Sequence, residues 1–574
     1  MAANSCWAFG AARHPHPRLF GAVSAALCAS SFRVESLGSQ GVANVAWAYA
    51  KVGQADAALF ASLERAALLH LPELLRHSQQ LSNTLWAFAT LGHRAPALFG
   101  AVADAATAAD GSGEQLLASL GPQAVANLAW SYATAAHRAD ALQDALAATA
   151  VRGLPTYRAA DLPFLLSAFS LSHRPAPQLF EAAAPLVATG LAAGHFSPPQ
   201  LASLALAFAA ADQATPALLE ALAEAAARQA GAFRLDAFAT LSWSFAVAAG
   251  ALPEAAAAGA ERFLAAARRA PRSFVNRPHT QLSAEEAEEA APQLARLWQV
   301  QLWLETEVAR QLPRSAVALG RSRLPTHLVE HGRAALVASE AAAADGLSPR
   351  DALAASGGSA GGSASRSAAA EARAQQALRE GGARRQRLSR LSFALHMGGE
   401  AHTSELRLEE GYTIDLALEA RRVAVVVAGR AQYEQLPRAD GTYAPTTAAR
   451  LGWRQLGALG WEVVLVPWFE WDALDSTAER RAYIDERLRR AGGAAPEAGG
   501  APAGADPAGP AEAAEAAAAA DHAHVEEGRE GGEVGEAQRA GGLQTVEALE
   551  SELKAARARI SELERLLASG PPRE

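Results

Sequence analysis

The chain has 574 residues, which is too long for one hydrophobic core, so we expect at least two domains. The net charge of −9 comes from the C-terminal end, because residues 491–574 contain 16 acidic and 7 basic residues while residues 1–275 contain 17 of each. With only Cys6 and Cys28 present, a disulfide framework and a cysteine-based zinc set are excluded.

Seven copies of a short pattern run through residues 1–275. The clear copies read NSCWAFG, NVAWAYA, NTLWAFA and NLAWSYA, and three weaker copies follow them. The tryptophan position of the pattern recurs every 37–44 residues, at Trp7, Trp47, Trp86, Trp130, Ser167, Leu206 and Trp243. This period predicts an α-helical repeat solenoid, in which helical hairpins bury their apolar faces against their neighbours.

Each copy predicts the same hairpin. The run 81–91 has the apolar spacing of a helix, Gly92 follows it, and a second helix is predicted to begin near Pro96. The tryptophan and the Phe or Tyr of each copy are expected to pack in the core.

An asparagine precedes the tryptophan by three residues in the clear copies, at Asn4, Asn44, Asn83 and Asn127. One interpretation is that these amides bond the backbone of a neighbouring repeat, as buried amides must. The other is that they form a ladder facing a ligand, because repeated polar side chains let helical repeats read single-stranded RNA one base at a time. Both remain open from the sequence.

A His–Arg doublet follows the first helix at His93–Arg94, His137–Arg138 and His173–Arg174. Cations at this place complement the dipole of the helix C-terminus. The alternative is that Arg94, Arg138 and Arg174 contact RNA phosphates.

The remaining chain divides by composition. We predict a helical connector at 276–344 that includes a helix at 284–312, a flexible linker at 345–382, a small α/β domain at 384–490, a disordered acidic segment at 491–541 and a coiled coil at 542–568. The coiled coil would serve self-association or bind a protein partner. A single amphipathic helix is the alternative interpretation of the same residues.

The α/β domain is predicted from alternating and continuous apolar runs. In YTIDLAL, Tyr412, Ile414, Leu416 and Leu418 are expected on one face. A strand buried on both faces is expected at 422–429. A helix at 448–459, a strand at 461–468 and a helix at 477–490 complete the domain.

This segment resembles the RAP domain. The resemblance rests on Gly411–Asp415, the strand ending at Gly429, Leu459–Trp461, Val466–Pro467 and Glu470–Trp471. The repeats resemble octotricopeptide repeats, and the wider group includes the FAST-kinase-like proteins. The resemblance implies RNA processing, stability, splicing or translation in the chloroplast or mitochondrion, including ribosomal RNA.

RAP domains are in turn similar to the restriction-endonuclease fold, which binds magnesium through two carboxylates near a lysine. Asp415 matches the first carboxylate, but Val426, Ala428 and Gly452 occupy the other acidic and basic positions. We therefore expect no enzyme activity, catalytic residue, metal or cofactor, and we expect Asp415 to bond within the domain. The remaining candidates for RNA contact are Arg422, Arg430, Arg450 and Arg454.

The sequence thus favours an RNA-binding scaffold for single-stranded organelle RNA. A protein-binding, armadillo-like solenoid is the alternative, and a metal nuclease is disfavoured. Proline and polar residues interrupt the apolar stretches 115–136 and 182–211, so no membrane insertion is expected. No transit peptide precedes the repeats, and we hypothesise that the true N-terminus lies upstream of Met1.

Overall fold

The computed structural model describes residues 2–172, 174, 176–270, 290–311, 326–344, 368–433, 436–437 and 442–491. The predicted coiled coil at 542–568, all but the first residue of the acidic segment 491–541, and residues 345–367 of the predicted linker lie outside the described residues.

The N-terminal region is a stack of helix pairs. The first helix of each pair carries the repeated pattern, and these helices span Ala2–Ala11, Gly38–Lys51, Ser78–Thr90, Pro122–Thr134, Leu162–Ser170, Pro198–Ala210 and Leu235–Ala248. The second helices span Pro17–Cys28, Ala57–Leu69, Pro96–Ala106, Asp140–Gly153, Pro177–Ala193, Pro216–Arg228 and Pro253–Arg269. Short helices at Ser31–Glu35, Leu71–Leu74 and Ser112–Ala118 and 3-10 turns at Leu154–Thr156, Ala159–Asp161 and Ala230–Ala232 join some of them.

The turn inside each pair follows from local residue choice. Gly92 ends a first helix with φ of +65°, a left-handed conformation that glycine adopts without strain. The backbone N–H of His93 then donates to the carbonyl of Phe88 at 3.0 Å, which closes the helix end. Pro96 occupies the first turn of the second helix, where its missing N–H would have no partner. The predicted hairpin is confirmed here.

Consecutive first helices pack against one another and form one continuous core. The Phe or Tyr of each clear copy is buried in it, as predicted. Two of these hydroxyls tie neighbouring pairs together, since Tyr49 donates to the carbonyl of Phe20 at 2.5 Å and Tyr132 to that of Phe99 at 2.7 Å. None of the described helices is long and apolar enough to span a bilayer.

The segment predicted as a connector adds an eighth pair to the stack. Its helix Ala291–Trp303 packs on Leu235–Ala248 as the next first helix and on Thr326–Ala344 as its partner. It continues through a π-helical turn, Leu304–Val308, into Ala309–Gln311. The prediction of a helical connector is therefore incomplete, because this helix buries its apolar side against the repeats and belongs to the stack.

The α/β domain contains a four-stranded sheet in the order β1 (Thr403–Arg407), β2 (Thr413–Leu418), β3 (Val423–Ala428) and β4 (Glu462–Pro467). The pairs β1–β2 and β2–β3 are antiparallel, and β3–β4 is parallel with the crossover helix Thr447–Ala458 between them. All six residues of β3 are buried, as expected.

Helices cover both faces of this sheet. The long helix Ala368–Met397 and the last helix Thr477–Ala491 contribute to the core on one face. The crossover helix and the eighth helix pair contribute to the core on the other face. A short helix, Trp468–Trp471, follows β4.

Two expectations about this domain are wrong. The long helix runs through residues 368–382, which composition had placed in the flexible linker. Tyr412, just before β2, and Ile414 belong to the core beneath the eighth pair, whereas Leu416 and Leu418 belong to the opposite core. The strand changes face at Asp415, because regular pairing with β3 ends at Leu416 and Val425 and the Asp415 carboxylate accepts the Val427 N–H instead, at 2.6 Å.

Candidate nucleic-acid interface

One side of the first helices in the N-terminal pairs remains accessible. On Gly38–Lys51 the residues at this side are Gln40, Asn44, Trp47 and Lys51, spaced by four, three and four, while most residues between them are buried. We call the surface formed by the corresponding positions of the first helices the first-helix face. On the third and fourth pairs it comprises Gln79, Asn83, Trp86, Thr90, Gln123, Asn127, Trp130 and Thr134.

The four asparagines all lie on this face, although to different depths. Asn4 is exposed, Asn44 and Asn83 are half-buried, and Asn127 is 6% exposed. Within the described part of the chain, none of their side chains makes a hydrogen bond to another residue. The structure therefore offers no support for the backbone-bonding interpretation, and recognition of RNA by these amides stays a prediction.

The expectation that the tryptophans are core residues is wrong for the clear copies. Trp7 is 38% exposed, and Trp47, Trp86 and Trp130 are half-buried residues that rest on the outside of the core. The reason is helical geometry, because a residue three positions after the asparagine lies on the same side of the helix. The Phe or Tyr two residues later takes the core position.

The exposed rings form a row that crosses several helix pairs. The Lys51 ammonium lies 5.5 Å from the ring centroid of Trp47 and 5.3 Å from that of Trp86, so it faces both rings. The rings of Trp86 and Trp130 are in contact, with centroids 6.4 Å apart. Phe164, at the asparagine position of the fifth pair, is 39% exposed.

The glutamines of this face were missed by the sequence reasoning. Gln40, Gln79 and Gln123 each lie four residues before the asparagine and are exposed. Their signal was present, since three of the four clear copies share this position. A turn of helix separates each glutamine from its asparagine, so the pairs Gln40–Asn44 and Gln79–Asn83 can each present two amides to one ligand group, whereas Asn127 is buried.

The His–Arg doublets are mostly engaged within the protein. The His93 ring packs against Phe60 and Phe88, with centroids 5.8 and 5.5 Å away, and burial lowers its pKa. Burial likewise lowers the pKa of His137. A lowered pKa disfavours the protonated ring, so His93 and His137 are poor candidates for the cation that the sequence predicted at the helix end.

The arginines of the doublets divide into two groups. Arg138 pairs with Asp140 at 2.8 Å and Arg174 pairs with Asp144 at 2.7 Å. Arg94 is exposed and has no ion pair among the residues described. His173 itself lies outside the described residues.

Two of the four arginines proposed for the α/β domain attach that domain to the repeats. Arg450 pairs with Asp212 at 2.6 Å, at the end of the sixth first helix. Arg454 donates to the carbonyls of Ala246 and Val247 and pairs with Glu307 at 2.9 Å. These contacts correct the expectation that both side chains are available to RNA.

The other two arginines stack on tryptophans at opposite ends of β3. The guanidinium of Arg422 lies 4.3 Å from the ring centroid of Trp461, and that of Arg430 lies 4.1 Å from that of Trp468. Both arginines are exposed. Since they are separated by the length of the strand, the four arginines do not form one patch.

A buried chain of hydrogen bonds joins the repeats to the α/β domain. Trp243 donates its indole N–H to Gln299 at 2.7 Å, and the amide of Gln299 donates to the Tyr412 hydroxyl at 3.0 Å. Tyr412 donates to Gln455, whose amide donates back to the carbonyl of Gln299 at 2.6 Å. Every polar group in this chain therefore has a partner, as a buried network requires.

The accessible face ends at the eighth pair and the α/β domain. Trp243 occupies the tryptophan position of the seventh pair but is only 4% exposed, because Gln299 and Arg296 of the eighth pair lie against it. Gln299 in turn bonds Tyr412 of the α/β domain. Beside the Arg450–Asp212 pair, a crevice of about 190 Å³ opens between the fifth and sixth pairs and residues Pro445, Thr447 and Arg450. A ligand that follows the face toward the C-terminus thus meets this domain.

Asp415 is fully engaged inside the α/β domain. It forms a buried ion pair with Arg384 and accepts the Val427 N–H. Burial raises its pKa, and Arg384 opposes that effect. The expectation that Asp415 bonds within the domain is confirmed.

Glu340, on the eighth helix pair, is a pH-sensitive group that interacts with Asp415 and Arg384. Burial and the charge of Asp415 raise its pKa to about 7 against the lowering effect of Arg384. Because the folded-state pKa is above the unfolded value, the stabilisation is present at low pH and is lost as the pH rises through about 7. We expect Glu340→Gln to raise the free energy of unfolding by about 1–2 kcal/mol at pH 8 and by much less at pH 5.

Thermal melts of the full chain at both pH values test this expectation. Glu330→Gln, on the exposed side of the same helix, is the matched control. An equal effect of Glu340→Gln at pH 5 and pH 8 would contradict it.

The described chain is thus a stack of helix pairs that ends in an α/β domain. A RAP domain is found at residues 441–487, a range that includes the crossover helix, β4, Trp468–Trp471 and most of the last helix. RAP domains are generally RNA-binding domains. No curated protein matches the chain.

Proposed function

We propose that this protein is a non-catalytic scaffold that binds single-stranded RNA in a sequence-selective way along the first-helix face. The observation that supports this proposal is the recurrence, on one accessible face, of amide side chains that lack hydrogen-bond partners among the described residues. The same stack of helices ends in the domain that contains the RAP match. Paired amides on successive repeats have the chemistry to recognise one base each. Occupancy of the RNA would then block a nuclease, remodel a hairpin or recruit a complex.

The resemblance of the repeats to octotricopeptide repeats and of the chain to FAST-kinase-like proteins supports a role in organelle RNA metabolism. The proposed steps are processing of ribosomal or messenger RNA, stability, splicing or translation, in the chloroplast or mitochondrion. The engagement of both Asp415 oxygens by Arg384 and Val427 supports a role without catalysis. The neutral charge balance of residues 1–275 favours base recognition over uniform phosphate binding.

Crosslinking and immunoprecipitation of the tagged protein from its own cells, with sequencing of the bound RNA, tests this function. A sharp footprint on one organelle transcript would support it and identify the target. Co-purification of proteins without enriched RNA would favour the alternative, a protein-binding solenoid of the armadillo kind.

Deletion of residues 542–574 is expected to leave RNA affinity unchanged and to reduce the size of the assembly, because the apolar seam predicted there lies outside the RNA-binding face. Light scattering on the full chain and the truncated chain measures the assembly size. An unchanged mass would count against the coiled coil.

A further inference from the structure

The tryptophan row is accessible although the same repeats bury their other aromatic residues. Phe9, Tyr49, Phe88 and Tyr132 are at most 2% exposed, whereas Trp7 is 38% exposed and the next three tryptophans are half-buried. Core packing does not require a large ring at the outer position, since Ser167 and Leu206 occupy it in later pairs. Trp47, Trp86 and Trp130 form a continuous row through Lys51 and the Trp86–Trp130 contact, and accessible apolar surfaces of this kind indicate binding sites.

We propose that the tryptophan row stacks on unpaired RNA bases, so that each clear repeat contributes a ring as well as its amides. This inference rests on the proposed RNA-binding function and adds the mode of contact. Stacking on aromatic side chains is available to every base, because every base has a π-face. Discrimination between bases would then come from the asparagines and glutamines beside the rings.

The position of Lys51 shows where a base can enter. Its ammonium lies between the faces of Trp47 and Trp86, which are therefore both directed at a common space. A flat base in that space would contact both rings and release the lysine to a neighbouring phosphate. The rings of Trp86 and Trp130 contact each other, with centroids 6.4 Å apart and planes 32° from parallel. A base between parallel rings needs about 7 Å, so the space beside Lys51 is the place of entry that this geometry favours.

Binding of 12-nucleotide oligo(A) and oligo(U) to the full chain tests this inference, with tryptophan fluorescence recorded in the same titration. Trp86→Leu removes the ring but keeps an apolar side chain, and Trp86→Phe restores a smaller ring. Phe32→Ala removes an exposed aromatic residue from another helix and is the matched control.

We expect the fluorescence to be quenched by RNA and oligo(A) to bind more tightly than oligo(U), because purines stack better. Trp86→Leu should bind oligo(A) about tenfold more weakly, with most of the loss recovered in Trp86→Phe and none seen in Phe32→Ala. A melt of each variant shows whether the loss reflects unfolding.

Two outcomes would overturn the inference in distinguishable ways. If Trp86→Leu binds RNA like the unmodified chain while loss of the asparagines weakens binding, stacking is wrong and the proposed function stands. If neither oligonucleotide nor the RNA recovered from cells binds, both are wrong. A protein partner whose binding requires Trp86 would then show that the tryptophan row is a protein-binding surface.

Discussion

Asp415→Ala is expected to lower the free energy of unfolding of the α/β domain by about 3–5 kcal/mol. The substitution removes the carboxylate that pairs with the buried Arg384 guanidinium and removes the acceptor of the Val427 N–H. Loss of one member of a buried pair has a large effect because the remaining charge cannot regain its hydration. Denaturation of the full chain, followed by tryptophan fluorescence, measures the change, since Trp471 is buried in this domain.

Asp472→Ala is the matched control, because Asp472 pairs with Arg387 on the same long helix but is itself partly exposed. Exposed pairs contribute about 1 kcal/mol or less, so this variant should unfold nearly like the unmodified chain. Asp415→Asn keeps a side-chain oxygen that can accept the Val427 N–H, so its free energy of unfolding should lie between those of the two alanine variants. Equal effects of Asp415→Ala and Asp472→Ala would contradict the structural role of Asp415.

A double substitution, Asn44→Ala with Asn83→Ala, is expected to weaken binding to the RNA recovered from cells by about tenfold to a hundredfold. Each amide is expected to supply a hydrogen bond to a base that contributes about 0.5–1.5 kcal/mol. The melting temperature should remain the same or rise slightly, because alanine has the higher helix propensity and neither amide has an internal partner to lose. Filter binding and thermal melts of the same samples separate the two effects.

The double substitution Gln115→Ala with Gln178→Ala removes two exposed amides away from the first-helix face and serves as the control. It should leave RNA binding unchanged. A fall in melting temperature that accompanies the loss of binding in the asparagine variant would instead restore the packing interpretation.

The helical hairpins were predictable because their signals are local. Gly92 and Pro96 fix the turn, and the buried Phe or Tyr marks the core side of the first helix. The eighth pair was not recognised, since its first helix lacks the repeated pattern and its partner helix begins only at Thr326, 15 positions after Gln311. Its place in the stack depends on contacts with Leu235–Ala248 that no local signal specifies.

The candidate site was predictable in part for the same reason. Asn44 and Asn83 were identified because they repeat, and Gln40 and Gln79 could have been identified in the same way. The exposure of Trp47 and Trp86 was not evident, because a tryptophan at helical spacing usually indicates a core residue. The roles of Arg450 and Arg454 depend on partners more than 200 positions earlier in the chain, which composition cannot reveal.

The change of face on β2 illustrates a similar limit in the α/β domain. Strict alternation placed Ile414 and Leu416 together, but alternation holds only while the strand stays in register with its neighbour. Pairing of β2 with β3 ends at Leu416, and the Asp415 side chain accepts the Val427 N–H beyond that point, while the register with β1 is the same on both sides of Asp415. A polar residue inside an apolar strand is the signal for such a break.

The hydrogen bonds and ion pairs described above between the repeats and the α/β domain come from the sixth to eighth helix pairs. The main contacts of the first four pairs, which carry the asparagines and the accessible tryptophans, are with their neighbours in the described part of the stack. Duplication or loss of one of these units would therefore lengthen or shorten the accessible face by one step without disturbing the junction. Recombination within the gene could thus change the length of the RNA sequence that this protein binds, while the position of the RNA end nearest the α/β domain stays the same.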